Sequence, residues 1–253
     1  DSKREAYSAI SSTQMGYTAA TLALAANLGK TLNLSEKQID TYRNLGLKIY
    51  AKAKEKPEEV AWWQGNEIDI NQTQKPNTGG TGWEKFYADD SPYDNLSLAA
   101  IELFRLTKNK IYRREALDFS NQAGAGWWAS WGNSNMYANN SISFISGEIN
   151  TPLKEDLNYF YSKAILRENI YGRPHDVTWG TLNSMLIVAN NMTTFDINNK
   201  SIKYLKAYTN TYNYVYGLNN WGISFVADTS LPYSFKQSYL PIFRIRNEVN
   251  NTG

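Results

Sequence analysis

The sequence predicts an all-α protein built from paired helices. Apolar residues recur at three- and four-residue steps through most of the chain, and little of it alternates as a strand would. The periodic segments also come in pairs, joined by short turns and followed by long aromatic loops. Paired helices with their functional loops gathered at one end describe an α-hairpin array or a toroid.

Residues 4–28 place Met15, Ala19, Leu22 and Leu24 at helical spacing, with Gly29 closing the segment. A second helix opens after Ser35, whose hydroxyl suits an N-cap. It runs through Tyr42, Leu45, Leu47 and Ile49 and must stop before Pro57. Residues 57–90 read as a long loop holding Trp62, Trp63, Gly79, Gly80 and Trp83. Residues 92–106 form a third helix, with Asp90 or Ser91 as its N-cap and Leu96, Ala99, Ala100, Leu103 and Phe104 on one face. Residues 110–122 form a fourth, and the basic run from Lys108 to Arg114 reads as its solvated start. A second aromatic loop follows, with Trp127, Trp128 and Trp131, before helices at 152–168, 181–190 and 202–216. The loops at 61–90, 123–150 and 170–181 are expected at one end. No strict repeat period is visible, which argues against a regular solenoid. Roughly seven helices make about half of a closed six-hairpin barrel, and an open half would expose a long apolar face.

Composition narrows the function. The chain has 253 residues, and one domain over 1–253 is expected. A net charge of +2 without blocks of like charge marks no nucleic-acid or membrane face. With no Cys and one His, disulfides, Cys-ligated metals and multi-histidine metal sites are excluded, and neither metal nor cofactor is expected. His175 is the one possible histidine base. No apolar run reaches the roughly 18 residues of a transmembrane helix. The Asp1–Glu5 start has no apolar signal segment, so a secretion signal is expected to have been removed or to lie upstream of Asp1. Sequons such as Asn71-Gln72-Thr73 and Asn95-Leu96-Ser97 are attributed to chance in an Asn-rich chain. The 8 Trp and 18 Tyr stand out, since flat rings with a polar handle serve both cores and sugar clefts.

Four collinear segments carry a family resemblance. Gln14-Met15-Gly16-Tyr17-Thr18-Ala19-Ala20 resembles a "T-A-H-x-A-A-x-L-A" helix, with Gly16-Tyr17 in place of the usual His. Tyr87-Ala88-Asp89-Asp90 with Leu98-Ala99-Ala100-Ile101-Glu102-Leu103-Phe104 resembles a "Y-x-D-x-x-x-E-x-x-W-A-A-x-E-L-Y" helix. Trp179-Gly180-Thr181-Leu182-Asn183 resembles a "W-G-S-N" turn. Tyr212 to Val226 resembles "Y-x-L-G-x-N-x-x-G-x-S-[FY]-V", in which a helix ends on one glycine and the next turn needs a second. Together these resemble the C-terminal half of family 9 glycoside hydrolases. The resemblance implies an (α/α)6 toroid, of which this chain holds part, that cleaves β-1,4-glucans with inversion in a secreted or periplasmic setting.

The departures are specific. The family's catalytic base lies in an N-terminal "D-A-G-D" motif, which does not occur in this sequence, and its His-rich segment is replaced by Pro232 to Tyr239. Arg246-Asn247-Glu248-Val249 matches the "N-E-V" of the general acid, so the resemblance nominates Glu248, against an ordinary surface glutamate. An inverting glycosidase needs two carboxyls roughly 6.5–9.5 Å apart, so that a water fits beside the sugar. Asp89, Asp90, Asp94 and Asp176 lie nearest the aromatic loops as substitute bases, with helix capping the competing role.

The substrate expectation rests on aromatic rings, because pyranose C–H faces stack on indole and phenol. Trp62, Trp63, Trp83, Trp127, Trp128, Trp131 and Trp179 are the main candidates, with Tyr93 and Tyr233 beside them and core packing as the alternative. The partner is thus a polysaccharide or oligosaccharide, with the missing N-terminal half of the same protein as a further expected partner. The competing readings are a non-catalytic carbohydrate-binding toroid and a structural one.

Overall fold

The computed structural model describes residues 12–55, 91–130, 133–147, 149–176, 180–226 and 233–234. Two compact units emerge: Asp1–Gly126 with Ser134–Leu153, and Trp127–Asn133 with Lys154–Gly253. Among the described residues the regular structure is eight α-helices, accompanied by isolated bridges between Ser130 and Asn133 and between Ser224 and Ser234. No helix there is long and apolar enough to cross a membrane.

The first unit holds α1 (Ser12–Asn27), α2 (Glu36–Ala53), α3 (Tyr93–Thr107), α4 (Lys110–Ala123) and α5 (Asn135–Ser146). Helix α1 packs on α2 and α3, and α3 on α4 and α5. Small residues make this possible. Ala19, Ala20, Ala23 and Ala26 are buried on α1, and a Cβ at Gly46 of α2 would sit 3.4 Å from the Ala19 carbonyl oxygen. A Cβ at Gly16 would reach Asn95 of α3 at 3.0 Å. Helix α3 is buried on every side from Asp94 to Leu103, as a central helix must be. Full burial of a side chain such as Leu103 contributes about 1.5–3 kcal/mol. Glu102 is buried with it, and one carboxylate oxygen has no partner. Burial pushes its carboxyl above the usual carboxylate range, against the pull of Arg105 and Asn27.

Helix α2 begins as expected. The Ser35 side chain accepts from the Gln38 amide, and the Gln38 side chain accepts from the Ser35 amide, which is a capping box. Its buried face is Ile39, Gly46, Tyr50 and Ala53, whereas Leu45 is 43% exposed. Gly29 does not close α1 through a left-handed residue. That conformation falls on Asn33, at φ 55°, and Gly29 is small because a Cβ would lie 2.4 Å from Ile39. The N-cap of α3 is Pro92, without a side-chain cap bond, rather than Ser91; the Ser91 hydroxyl, one residue earlier, accepts from the Tyr93 amide at 3.3 Å. Asn95 is fully buried, which closes the sequon at that position.

The interval 123–150, read as loop, contains α5. Asn135, Asn139, Asn140, Ser141 and Ser143 are weak helix formers, and all are buried. A closed polar network replaces what propensity lacks. Ser120 donates to the Asn139 side chain at 2.6 Å, Asn139 donates to Asn135 at 3.0 Å, and Asn150 donates to both Ser120 and Asn139. Buried polar groups bonded to one another in this way select one packing.

The second unit holds the remainder of α6 (Thr151–Ala164), with α7 (Thr181–Asn199) and α8 (Leu205–Val215) packed together. Helix α6 stops before the expected 168, and α7 runs well past the expected 190. Asn191 returns its side-chain amide to the Ile187 carbonyl at 2.8 Å, so an asparagine that reads as a stop is accommodated. Asp196 accepts from the Tyr204 amide at 2.8 Å and ties the α7–α8 turn.

Candidate functional site

Two loops of the second unit are built on one plan. Asn169 follows α6, and its side chain donates to the carbonyls of Lys163 and Arg173 while accepting from the Arg173 amide. Asn219 follows α8, and its side chain donates to the carbonyls of Tyr214 and Ile223 while accepting from the amides of Trp221 and Ile223. In both turns the third residue after the asparagine is a glycine at φ 61°, Gly172 and Gly222, whose amide bonds back to the asparagine carbonyl. Only glycine adopts that backbone cheaply. The second turn realises the glycine-bearing segment expected from the sequence. Its partner at 169–173 has the same Asn-x-x-Gly spacing.

The first turn delivers His175 beneath the aromatic segment 127–130. His175 is buried, and its ring stacks on Phe160 of α6 and meets Trp128 in a T-shaped pair, with ring centres 5.4 Å and 4.6 Å away. Its Nδ1 lies 3.2 Å from the Asp176 carbonyl, and its Nε2 lies 3.5 Å from the Ala129 amide. Trp127 and Trp128 stay 48% and 41% exposed although their loop is anchored. Trp127 has φ 50°, a conformation that costs a bulky residue about 1–3 kcal/mol. The buried Asp156 carboxylate holds it there by accepting from the Trp127 amide at 2.8 Å, and Tyr159 supports the indole edge-on at 5.1 Å. Lys163 lies over the Tyr159 ring at 4.6 Å and pairs with Asp176. Burial alone would lower the Lys163 pKa, but the hydrogen bonds to Asp176 and Tyr159 outweigh it and raise it. One face of α6, carrying Asp156, Tyr159, Phe160 and Lys163, thus supports two exposed indoles.

Of the residues expected at the site, Trp127 and Trp128 come together. Tyr233 is 49% exposed in the second unit, where its carbonyl accepts from the Ser224 amide. Tyr93 belongs to the first unit, half-buried and stacked on Phe119 at 6.0 Å. Trp62, Trp63, Trp83, Trp131, Trp179 and Glu248 lie outside the described residues, as do Asp89 and Asp90. Asp94 is buried and accepts from both the amide and the hydroxyl of Ser134, which places it in a structural bond at the start of α5. Asp176 is exposed and carries the Lys163 pair. Among the described residues no group of three or more His, Asp or Glu side chains could hold a metal ion.

Sequence reasoning did not nominate Asp156, Tyr159, Phe160 or Lys163. Their spacing on one helix face was the available signal. It read as ordinary amphipathicity.

Comparison with known proteins agrees with this architecture. The sequence model of glycosyl hydrolase family 9 matches residues 1–237, which leaves Glu248 beyond the matched stretch. No curated protein matches the chain. Among solved structures, a Bacteroides ovatus family 9 protein superposes with a TM-score of 0.69 at 22% identity, covering 92% of this chain and 44% of that one. The cellulase Cel9M of C. cellulolyticum gives 0.65 at 20% identity over 87% of this chain and 47% of that chain, and was also solved with cellobiose. A thermostable endoglucanase from Alicyclobacillus acidocaldarius gives 0.62 at 17% identity, over 86% of this chain and 40% of that chain. The chain spans less than half the length of these structures, and its fold is that of part of their (α/α)6 toroid. With the family match extending over nearly all of its length, this chain belongs to glycosyl hydrolase family 9.

Proposed function

We propose that this chain forms the sugar-binding part of an endoglucanase-like glycosidase acting on β-1,4-linked glucan by inversion. The observation that carries the reading is the Trp127–Trp128 pair, two exposed indoles, one held edge-on by the half-buried Tyr159 and the other by the buried His175. Exposed rings are ordinarily mobile and lose conformational entropy on binding; these are ordered before a ligand arrives. Flat apolar faces with fixed orientation suit the C–H faces of successive pyranose rings. Polymeric glucan does not cross membranes, so a secreted or periplasmic location is part of the same proposal.

Inversion needs a base-activated water opposite a general acid. Glu248 is our candidate acid. The base belongs to the "D-A-G-D" segment, which we place either upstream of Asp1 in the same protein or on a separate chain. The chain alone is therefore expected to hydrolyse glucan very slowly or not at all, since acid or base catalysis contributes roughly 10²–10⁴-fold. The motif's absence from these 253 residues also favours a second reading, a carbohydrate-binding toroid without catalysis.

Two measurements separate these. Titrating cello-oligosaccharide against the chain while following Trp fluorescence tests the sugar site. Trp128→Ala should weaken binding by about 1–3 kcal/mol, as for aromatic anchors elsewhere. No response at millimolar ligand, with the protein folded, rules the glucan site out. A soluble cellulose derivative is then assayed with the chain alone and with the upstream segment added. Turnover only in the second case, abolished by Glu248→Gln, supports the glycosidase; binding without turnover in either supports the carbohydrate-binding reading.

A further inference from the structure

His175 and Phe225 stand at the same place in the two related turns, three residues after the glycine. Phe225 shows that an apolar ring fits there; it contacts Tyr214 at 6.0 Å and Trp221 at 5.8 Å. Packing alone therefore does not call for histidine in the first turn. What differs is the surroundings of the ring. The Nδ1 side of His175 faces a carbonyl, which can only accept, and the Nε2 side faces an amide N–H, which can only donate. Neither backbone group can exchange its role. Both demands are met by one form, the neutral imidazole with its proton on Nδ1. An imidazolium, or the Nε2–H tautomer, would set N–H against N–H at Ala129.

We propose that His175 is a positioning residue for the glucan-stacking surface: its neutral Nδ1–H tautomer joins the 169–176 turn to the Ala129 backbone and fixes the plane of Trp128. This rests on the reading of Trp127 and Trp128 as a glucan platform. The ring is clamped between Phe160 and Trp128, so its tilt is transmitted to the indole, whose ring centre lies 4.6 Å from its own. The Ala129 bond follows Trp128 directly in sequence and holds the backbone from which that indole projects.

The test begins with the unmodified chain. Because it contains a single histidine, long-range ¹H–¹⁵N correlation on uniformly labelled protein gives one imidazole pattern. A protonated Nδ1 with a bare Nε2 is expected near neutral pH; a protonated Nε2 overturns the proposal. His175→Phe, the residue its twin turn already accommodates, keeps the stacked ring and removes both nitrogens. Cellohexaose should bind it about tenfold more weakly, with the helical circular dichroism retained. His175→Gln, which keeps an acceptor for Ala129, should lose less. Equal affinity of the wild type and His175→Phe overturns the proposal. If wild type does not bind cellohexaose, the glucan reading fails, and positioning is judged without ligand. His175→Phe should then change Trp emission, and that change should vanish in a Trp128→Phe background; a change that persists there overturns it.

Discussion

The turns at 169–176 and 219–226 share a frame and differ in what they support. Each is closed by an asparagine side chain and by a glycine at φ 61°. In the second turn the ring that follows, Phe225, is half-buried among other aromatics, and the exposed indole, Trp221, belongs to the turn itself. In the first, the ring is a buried histidine, and the exposed indoles lie on another segment that this turn holds in place. The difference teaches that a local backbone solution can be reused while its load changes from packing to positioning. Loops carry function when a rigid frame orients them.

Removing the frame's floor is expected to have the largest effect. Phe160 is buried under His175, and Phe160→Ala should cost about 3–5 kcal/mol in urea unfolding. Phe225→Ala, at the half-buried counterpart, should cost clearly less. A similar loss at both would mean that the two turns are equally deep in the structure, and the contrast would collapse.

The asparagine clamps come next. Asn169→Ala and Asn219→Ala each strand several backbone groups, and each should cost about 1–3 kcal/mol. Agreement between the two supports a shared frame; a loss at only one breaks it. The glycines sharpen this. Alanine at either must adopt a left-handed backbone, which costs about 1–2 kcal/mol. At Gly222 the added methyl meets open space, whereas at Gly172 it would lie 2.4 Å from the Asn210 side-chain nitrogen. Gly172→Ala should therefore destabilise more than Gly222→Ala in the same unfolding experiment.

Much of the fold was legible, and the failures have physical causes. The Ser35 cap and the helix pairs follow from local chemistry and periodicity, which act over a few residues. Helix α5 was hidden because Asn135, Asn139 and Ser143 favour turns locally, and only their burial in a closed network makes them helical. Leu45 shares the helical spacing of α2 and is nonetheless exposed, because periodicity gives a face without saying which residue on it meets a neighbour. At the site, the aromatic segment 127–128 was visible from composition. Its supports were not, since Asp156 and His175 come from separate parts of the chain and meet the Trp127 amide and the Trp128 ring only in the fold. The Asn-x-x-Gly repeat was present in the sequence, but two short copies among many asparagines carry no period until their hydrogen bonds are seen.

The smallest expected change in stability is also the sharpest test of positioning. Trp127 is a bulky residue at φ 50°, and Trp127→Gly should recover about 1–3 kcal/mol of backbone strain. The same change removes the edge-on contact with Tyr159, worth about 0.5–1.5 kcal/mol, together with the apolar contacts of a ring only about half covered. These effects oppose one another, so the unfolding midpoint should move little in either direction. Asp156 keeps its bond to the residue 127 amide, because that bond is made to backbone. Affinity for cello-oligosaccharide should nonetheless fall, since one of the two rings is gone. A strained residue that can be removed without loss of stability, but not without loss of binding, is held for its ligand. A large drop in stability with binding unchanged would instead assign Trp127 to the packing of the second unit.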